Sequence, residues 1–527
     1  MPHPTDLELN LLRRFNVGDL LQRSARRVPA TVALRFDGRD VRYDELADMA
    51  ARVSRALLQA GVGPQDVVAA LGLNSPEYVA LWFGAASIGA VLLPLNALLR
   101  GRELTEALGR ARARALMVDA ALWPLLAGEA PALGRIPVRW FVGDPAAAPA
   151  GFTAFGEALA AAAGDRPAVM VPNEAPCTLL FTSGTEAQPK GVVGTHLNWH
   201  AALLSALADL EMGRRHRIQL ALPLFHVAGL YVLLATMATG ATGILVRRID
   251  PTAILDAIEQ ERASYLVLPA TAYLALLTQP ALERRDLSSL RRAIVFQYLP
   301  GSALQRLRQL APQVEWTGYW GQSELTPLGA STWSTEVFDR TSRPDPIGRP
   351  HLPLEVRLVD EDDRDVPPGQ VGEVVVQGPA VMAGYFDDPD ATAHTFRGGW
   401  HHTGDLAAAD DDRFLYFVDR RKDIIKTGGE NVSSQEVEAV VARHPGVQAV
   451  SVISLPDPYW VEAVVAVVVA AAPDHADDLG PAILEHCRRE LAPFKVPKQV
   501  HVVDELPKNP AGKVLKRVLQ QRFGGAE

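Results

Sequence analysis

The chain has 527 residues, more than one ordinary hydrophobic core accommodates, so at least two domains are expected. Hydrophobic residues make up 48% and charged residues 21%, the balance of a globular protein, and the net charge of −9 excludes a sequence-independent grip on nucleic acid, which needs clustered Lys and Arg. Two cysteines, Cys177 and Cys487, are too few for a metal cluster or a disulfide framework and are expected to act as small hydrophobes in a reducing, cytoplasmic setting.

The opening residues, MPHPTDLELN, show no basic stretch followed by an apolar one, so no secretory signal is predicted. Asp44 is placed to cap a helix whose apolar positions Leu46, Met49, Val53 and Leu57 form one stripe, with Gly61 as its stop. DVVAAL then reads as a buried strand, and Ser75–Pro76 as a cap and first helical residue. The uncharged run from Ala80 to Leu99 has the length of a membrane span, yet it contains Gly84, Gly89, Pro94 and Asn96. A buried helix, a glycine turn and a short buried strand fit it better, and no membrane span is expected.

Further strands are predicted at Gly243–Arg248, Leu266–Ala270 and Arg291–Phe296, separated by helical patterns. Strands alternating with helices imply a largely parallel sheet covered on both faces. From about Leu354 short alternating strands with turns such as PPGQVG predict an antiparallel subdomain. Beyond Arg421 lies a compact unit in which SQEVEAVVARH and PAILEHCRREL read as helices and VQAVSVISL and VEAVVAVVVA as strands. The expected fold class is therefore α/β. A large N-terminal domain, 1–421, has mixed, largely parallel sheets flanked by helices plus a β-rich subdomain, and a small α+β domain, 422–527, follows.

The chemistry concentrates in TLLFTSGTEAQPKGV. An apolar strand feeds a loop of glycine and hydroxyl residues that ends on Lys190. Backbone N–H groups beside glycine approach phosphate oxygens closely, and hydroxyls add donors. At about 4 Å and an effective dielectric near 20, one lysine–phosphate pair is worth roughly 4 kcal/mol. The Walker spacing is absent, because here glycine follows the lysine.

This loop resembles the signature of the adenylate-forming superfamily of acyl-CoA synthetases, peptide-synthetase adenylation domains and luciferases. It departs from the usual Thr-Ser-Gly-Thr-Thr-Gly-x-Pro-Lys-Gly at Glu186 and Ala187, and Glu186 is expected to point away from the nucleotide. The resemblance continues in order through LPLFHVAGL, GYWGQSELTP, GGWHHTGDLA, VDRRKDIIKTGGENVSSQEVE and LPKNPAGKVLKR. It implies ATP contacts from Thr182, Ser183, Gly184, Thr185, Lys190, Tyr319, Trp320, Gly321, Ser323, Asp405, Arg420 and Lys513. Trp320 would stack on adenine and Asp405 would receive the ribose hydroxyls. Glu324, with Thr185, would hold magnesium. Lys513, Lys190 and His226 are the implied catalytic residues, and Lys422 the hinge about which the small domain moves. Lys426, Gly428, Gly429 and Glu430 would line a tunnel for coenzyme A, and His226, Gly229, Phe296, Tyr298 and Leu299 the acyl pocket.

By this resemblance the chain activates a carboxylic acid with ATP and passes it to the thiol of coenzyme A. GGENVSSQEVE has the acyl-CoA synthetase form, and no aspartate follows His226 to hold a substrate ammonium. Both points favour a non-amino acid. FQYLPGS stands where relatives carry Gly-Gly-Ala-Pro, so Tyr298 and Leu299 are expected to fill the pocket and select a short, medium or compact ring acid. An acyl carrier protein as acceptor, a luciferase-like oxidation and a non-ligating nucleotide-binding homologue are the alternatives.

Overall fold

The computed structural model describes residues 5–99, 101–162, 164–182, 189–280, 282–296, 299, 301–332, 346–421, 423–427, 430–457, 460–472, 476–491, 493–508 and 512–524. Two compact units emerge. One comprises 1–339, 348–355 and 377–401, the other 340–347, 356–376 and 402–527. The strands at 402–421 thus group with the C-terminal residues, whereas a cut at Lys422 would separate them.

In the first unit one sheet orders its strands Gly384–Tyr385, Lys190–Thr195, Pro176–Thr182, Val91–Pro94, Val67–Leu71, Ala115–Asp119, Val138–Val142 and Thr153–Ala154. From Pro176–Thr182 onward neighbours run parallel, and only the phosphate-loop hairpin and its short partner are antiparallel. The other sheet of this unit runs parallel through Glu315–Gly321, Arg292–Phe296, Tyr265–Pro269, Arg217–Leu220, Thr242–Leu245 and Val32–Phe36. The strand read as buried from DVVAAL, Val67–Leu71, is buried at every residue.

The uncharged run resolves into helix Pro76–Ser87, Gly89 at φ 74° and the buried strand Val91–Pro94. Ser75 caps that helix, its Oγ accepting the Tyr78 N–H at 3.2 Å. No helix among the described residues is long and apolar enough to cross a membrane. The cap expected at Asp44 is corrected: the helix begins at Tyr43, and Arg42 is the capping residue. Glu45 accepts the Arg42 N–H at 2.9 Å, which draws the start back and leaves Asp44 inside the first turn, paired with the Arg42 guanidinium.

The second unit has strands Glu355–Val359, Val371–Gln377, His401–Ala409 and Leu415–Arg420 in that order. A five-stranded sheet follows, formed by Ile425–Thr427, Glu430–Val432, Val447–Asp457, Val461–Ala470 and Gln499–Val502. The helix expected to open at Pro481 begins earlier, at Ala476. Leu479, Ile483 and Cys487 fall on one buried stripe, and that burial offsets the single hydrogen bond the proline removes. Both cysteines are buried, and burial pushes the Cys487 thiol up to about 11.

Two buried histidines make stability depend on pH. His196 Nδ1 accepts the Val17 N–H at 3.1 Å and His351 Nδ1 accepts the Gly329 N–H at 3.2 Å. Burial lowers each imidazole to about 3. Below pH of about 6.5 the unfolded chain binds protons that the folded chain refuses, so each histidine costs about 1.4 kcal/mol of stability per pH unit down to its folded value. Urea unfolding should therefore show clearly lower stability at pH 5.0 than at pH 7.5. Equal stabilities would contradict the neutral, buried assignment.

Candidate functional site

In the first unit the site grows from the hairpin Pro176–Thr182 and Lys190–Thr195. Thr182 faces Lys190 in register, and its Oγ1 donates to the Lys190 carbonyl at 3.4 Å, closing the neck of the loop. Ser183, Gly184, Thr185 and Glu186 lie outside the described residues. Gly191 is packed tightly, since a Cβ there would sit 3.0 Å from Leu179 and 3.1 Å from Phe386.

The Lys190 ammonium lies 5.3 Å from the centre of the Tyr385 ring, a cation–π distance. The hydroxyl of the same tyrosine donates to Glu324 Oε1 at 3.2 Å. One aromatic side chain thereby holds a cation on its face and a carboxylate at its tip. Glu324 is further fixed through its backbone carbonyl, which accepts the Met382 N–H at 2.8 Å. Tyr385 escaped the sequence reading. Its signal was a tyrosine after Gly384, a glycine at φ 147° that a Cβ would drive to 2.8 Å from Thr392.

Strand Glu315–Gly321 delivers Tyr319 and Trp320 to opposite faces, as alternation requires. Gly321 is obligatory, because a Cβ there would stand 1.8 Å from the Pro327 carbonyl oxygen. Gly329, opposite it, would collide with the Trp320 ring at 2.5 Å. This pair of glycines lets the chain fold back over the short turn Ser323–Leu325, which carries Ser323 and Glu324. Tyr319 joins Phe296, with ring centres 5.1 Å apart, and His351 at 5.0 Å. The structure thus groups Tyr319 with the residue expected in the acyl pocket.

His226 precedes helix Val227–Thr239 and packs its ring 4.6 Å from Phe225. Burial pushes its imidazole down to about 4, so it is neutral at physiological pH. Gly229 lets this helix approach the preceding turn, where a Cβ would meet the Pro223 oxygen at 2.3 Å. Leu299 is buried in the apolar core with Leu268, Val295 and Ala303. Tyr298 lies outside the described residues.

In the second unit Asp405 and Arg420 face each other across a hairpin, Oδ1 to Nε 3.4 Å, with Asp405 only 3% exposed. Glu373 braces the turn, accepting the Gly404 N–H at 3.1 Å and pairing with Arg421 at 3.1 Å. Lys426 and Glu430 belong to the paired strands Ile425–Thr427 and Glu430–Val432, while Lys422, Gly428 and Gly429 lie outside the described residues. Lys513 is exposed beside a one-residue antiparallel bridge between Lys508 and Val514.

Among the described residues no group of three or more His, Cys, Asp or Glu side chains is arranged to hold a metal. The lone Glu324 carboxylate suits a hard cation whose other ligands are phosphate oxygens and water.

The AMP-binding enzyme family model matches residues 21–386, and the model of the AMP-binding enzyme C-terminal domain matches residues 436–513. Feruloyl-CoA synthase from an Amycolatopsis species is 37% identical over 97% of this chain and 100% of its own length. Indoleacetate–CoA ligase from Aromatoleum aromaticum is 33% identical over 96% of this chain and 98% of its own. Among solved structures, the amide bond synthetase McbA from Marinactinospora thermotolerans superposes with a TM-score of 0.84 at 30% identity, covering 96% of this chain and 99% of that one.

Proposed function

Because this chain belongs to the AMP-binding enzyme family of the adenylate-forming superfamily, and is an ATP-dependent acyl-CoA synthetase, we propose that its acid is compact and bears a ring, and that the residues above divide the work of two half-reactions. A carboxylate is a poor electrophile because its leaving group is oxide. In the first step a carboxylate oxygen attacks the α-phosphorus of ATP, the bond to the β-phosphate bridging oxygen breaks, and pyrophosphate leaves. The acyl-adenylate then has AMP as leaving group. In the second step the thiolate sulfur of coenzyme A attacks the carbonyl carbon and AMP departs.

The observation that carries this assignment is the Lys190–Tyr385–Glu324 cluster, a cation and a carboxylate held by one ring beside the phosphate-loop hairpin. Lys190 meets the negative charge of the departing pyrophosphate. Magnesium, when bound, neutralises phosphate charge, and Glu324 would hold it, with Thr185 as its neighbour in the loop. Trp320 takes the adenine, Asp405 and Arg420 the ribose side, and Ser323 the α-phosphate. Lys513 brings positive charge to the reacting carboxylate and α-phosphate. Positioning and electrostatics carry the step, with little acid–base chemistry. After it, the domain beyond Lys422 turns and brings Lys426, Gly428, Gly429 and Glu430 to the path of the thiol.

A ring acid is supported by the aromatic wall at the carboxyl ends of adjacent parallel strands, where Phe296 meets Tyr319 edge-on at 5.1 Å. Two relatives are named for acids that carry rings. Neutral His226 would serve as an uncharged gate to the acid. The acceptor thiol is that of coenzyme A, and a carrier-protein phosphopantetheine presents the same group. Pyrophosphate release should be measured over a panel of aryl, medium-chain and sixteen-carbon acids, with coenzyme A, with a loaded carrier protein and with neither. Aryl acids with coenzyme A should turn over fastest. Preference for the sixteen-carbon acid would refute the ring-acid reading.

A further inference from the structure

The second unit contains a hydrogen-bonded chain of side chains that the two half-reactions above do not use. Asp419, 1% exposed, stands next to Arg420 on strand Leu415–Arg420. Its Oδ2 accepts the Ser434 backbone N–H at 2.7 Å, the Ser434 hydroxyl at 2.8 Å and the Ser433 hydroxyl at 3.2 Å. Its Oδ1 accepts the Arg420 N–H at 2.7 Å. The Ser434 hydroxyl, having given its proton toward Asp419, accepts from the Lys516 ammonium at 2.6 Å. Lys516 also pairs with Glu438 at 3.0 Å, and Glu438 accepts the Val452 N–H at 2.8 Å.

The two ends of this chain matter. Asp419 adjoins Arg420, which faces Asp405 across the ribose-side hairpin. Lys516 opens helix Lys516–Phe523, three residues after Lys513. The link between the two lysines is itself tied down: Leu515 N–H donates to the Pro507 carbonyl at 2.8 Å, and Val514 bridges Lys508. Fixing Lys516 therefore fixes the backbone that bears Lys513. A hydrogen-bonded run of charged groups, buried at Asp419 and part-buried at Lys516 and Glu438, sets geometry more than it adds stability.

The hinge position adds the functional point. Lys422 lies in sequence between Asp419 and Ser433–Ser434, so a turn about it separates these partners. We propose that Asp419, Ser434 and Lys516 form a latch that holds Lys513 in register with the ribose-side acid for adenylation and opens before thiol transfer. These three are positioning residues, and the latch rests on the reading of Lys513 and Lys422 given above. It acts only in the first half-reaction, because Lys513 and Asp405 need a common register only while both face the nucleotide.

The test is to compare acid-dependent pyrophosphate exchange with thiolysis of a supplied acyl-adenylate in Lys516→Met, Ser434→Ala and Lys516→Arg, with Lys513→Ala as reference. Exchange should fall roughly tenfold to a hundredfold in Lys516→Met and Ser434→Ala, the cost of misplacing a reacting group by about 1 Å. Thiolysis should stay within about twofold of the parent, and Lys516→Arg, which keeps the charge, should recover much of the exchange. Equal loss of both half-reactions, or loss of neither, overturns the latch. Should Lys516→Met fail to fold, Ser434→Ala, which leaves the Lys516–Glu438 pair in place, decides by the same two rates. If Lys513→Ala retains exchange, the lysine assignment itself falls and the latch with it. If Lys513→Ala is silent while Lys516→Met and Ser434→Ala exchange normally, only the latch falls.

Discussion

Replacing Lys513 with alanine is expected to lower pyrophosphate exchange by roughly 10²- to 10³-fold, the loss that follows removal of one preorganised charge from a developing negative centre. The carboxylate and the α-phosphate are both anionic, so the first half-reaction must bring like charges together. A lysine between them removes that repulsion when it matters most. The second half-reaction joins a thiolate to a neutral carbonyl carbon and has no such requirement, so acyl-adenylate supplied from outside should still be thiolysed. A variant that loses both activities in proportion would place Lys513 in the general architecture and not in the chemistry.

Lys422→Pro should give the complementary split. Proline holds φ near −65° and removes the N–H, so a backbone that must rotate at this position is locked. Adenylate should form and accumulate on the enzyme in roughly stoichiometric amount, while acyl-CoA production falls by at least about tenfold. Single-turnover quenching with radiolabelled acid separates the two species directly. Proportional loss of adenylate and thioester would remove the hinge from position 422. The two variants together form a pair of opposite blocks, and the latch variants should side with Lys513→Ala.

The neutral state of His226 bears on the gating role proposed for it. An imidazole pushed down to about 4 does not change charge between pH 6 and 9, so any gate it forms is one of shape. Gly229 supports this by allowing the helix behind the ring to sit against the Pro223 carbonyl.

Much of the architecture was legible because it rests on local rules. The run from Ala80 to Leu99 contained its own punctuation, and the helix, glycine turn and strand appear where that punctuation places them. VEAVVAVVVA is a strand over its full length, Val461–Ala470. The misplaced starts have one cause. Asp44 and Pro481 each carry a strong local preference, and each was overruled by partners elsewhere: Glu45 reaching back to Arg42, and the buried stripe Leu479, Ile483 and Cys487. The motif residues could be picked out because their chemistry is unusual for their position. Tyr385, on a two-residue strand, was marked only by following Gly384, and its value lies in touching Lys190 and Glu324, which are 134 residues apart in the sequence.

The amino-acid sequence alone determined the family, the α/β class, the order of the motifs and the kind of chemistry, because hydrophobic period, glycine placement and charged side chains at fixed spacing are properties of a linear string. Only the tertiary structure decided which of those side chains share a surface. It set Tyr385 between Lys190 and Glu324, put Tyr319 with Phe296, and threaded Asp419 through Ser434 to Lys516. Contacts of this kind depend on where sheets and helices converge. That is settled by the packing of whole elements, which no short window of residues encodes.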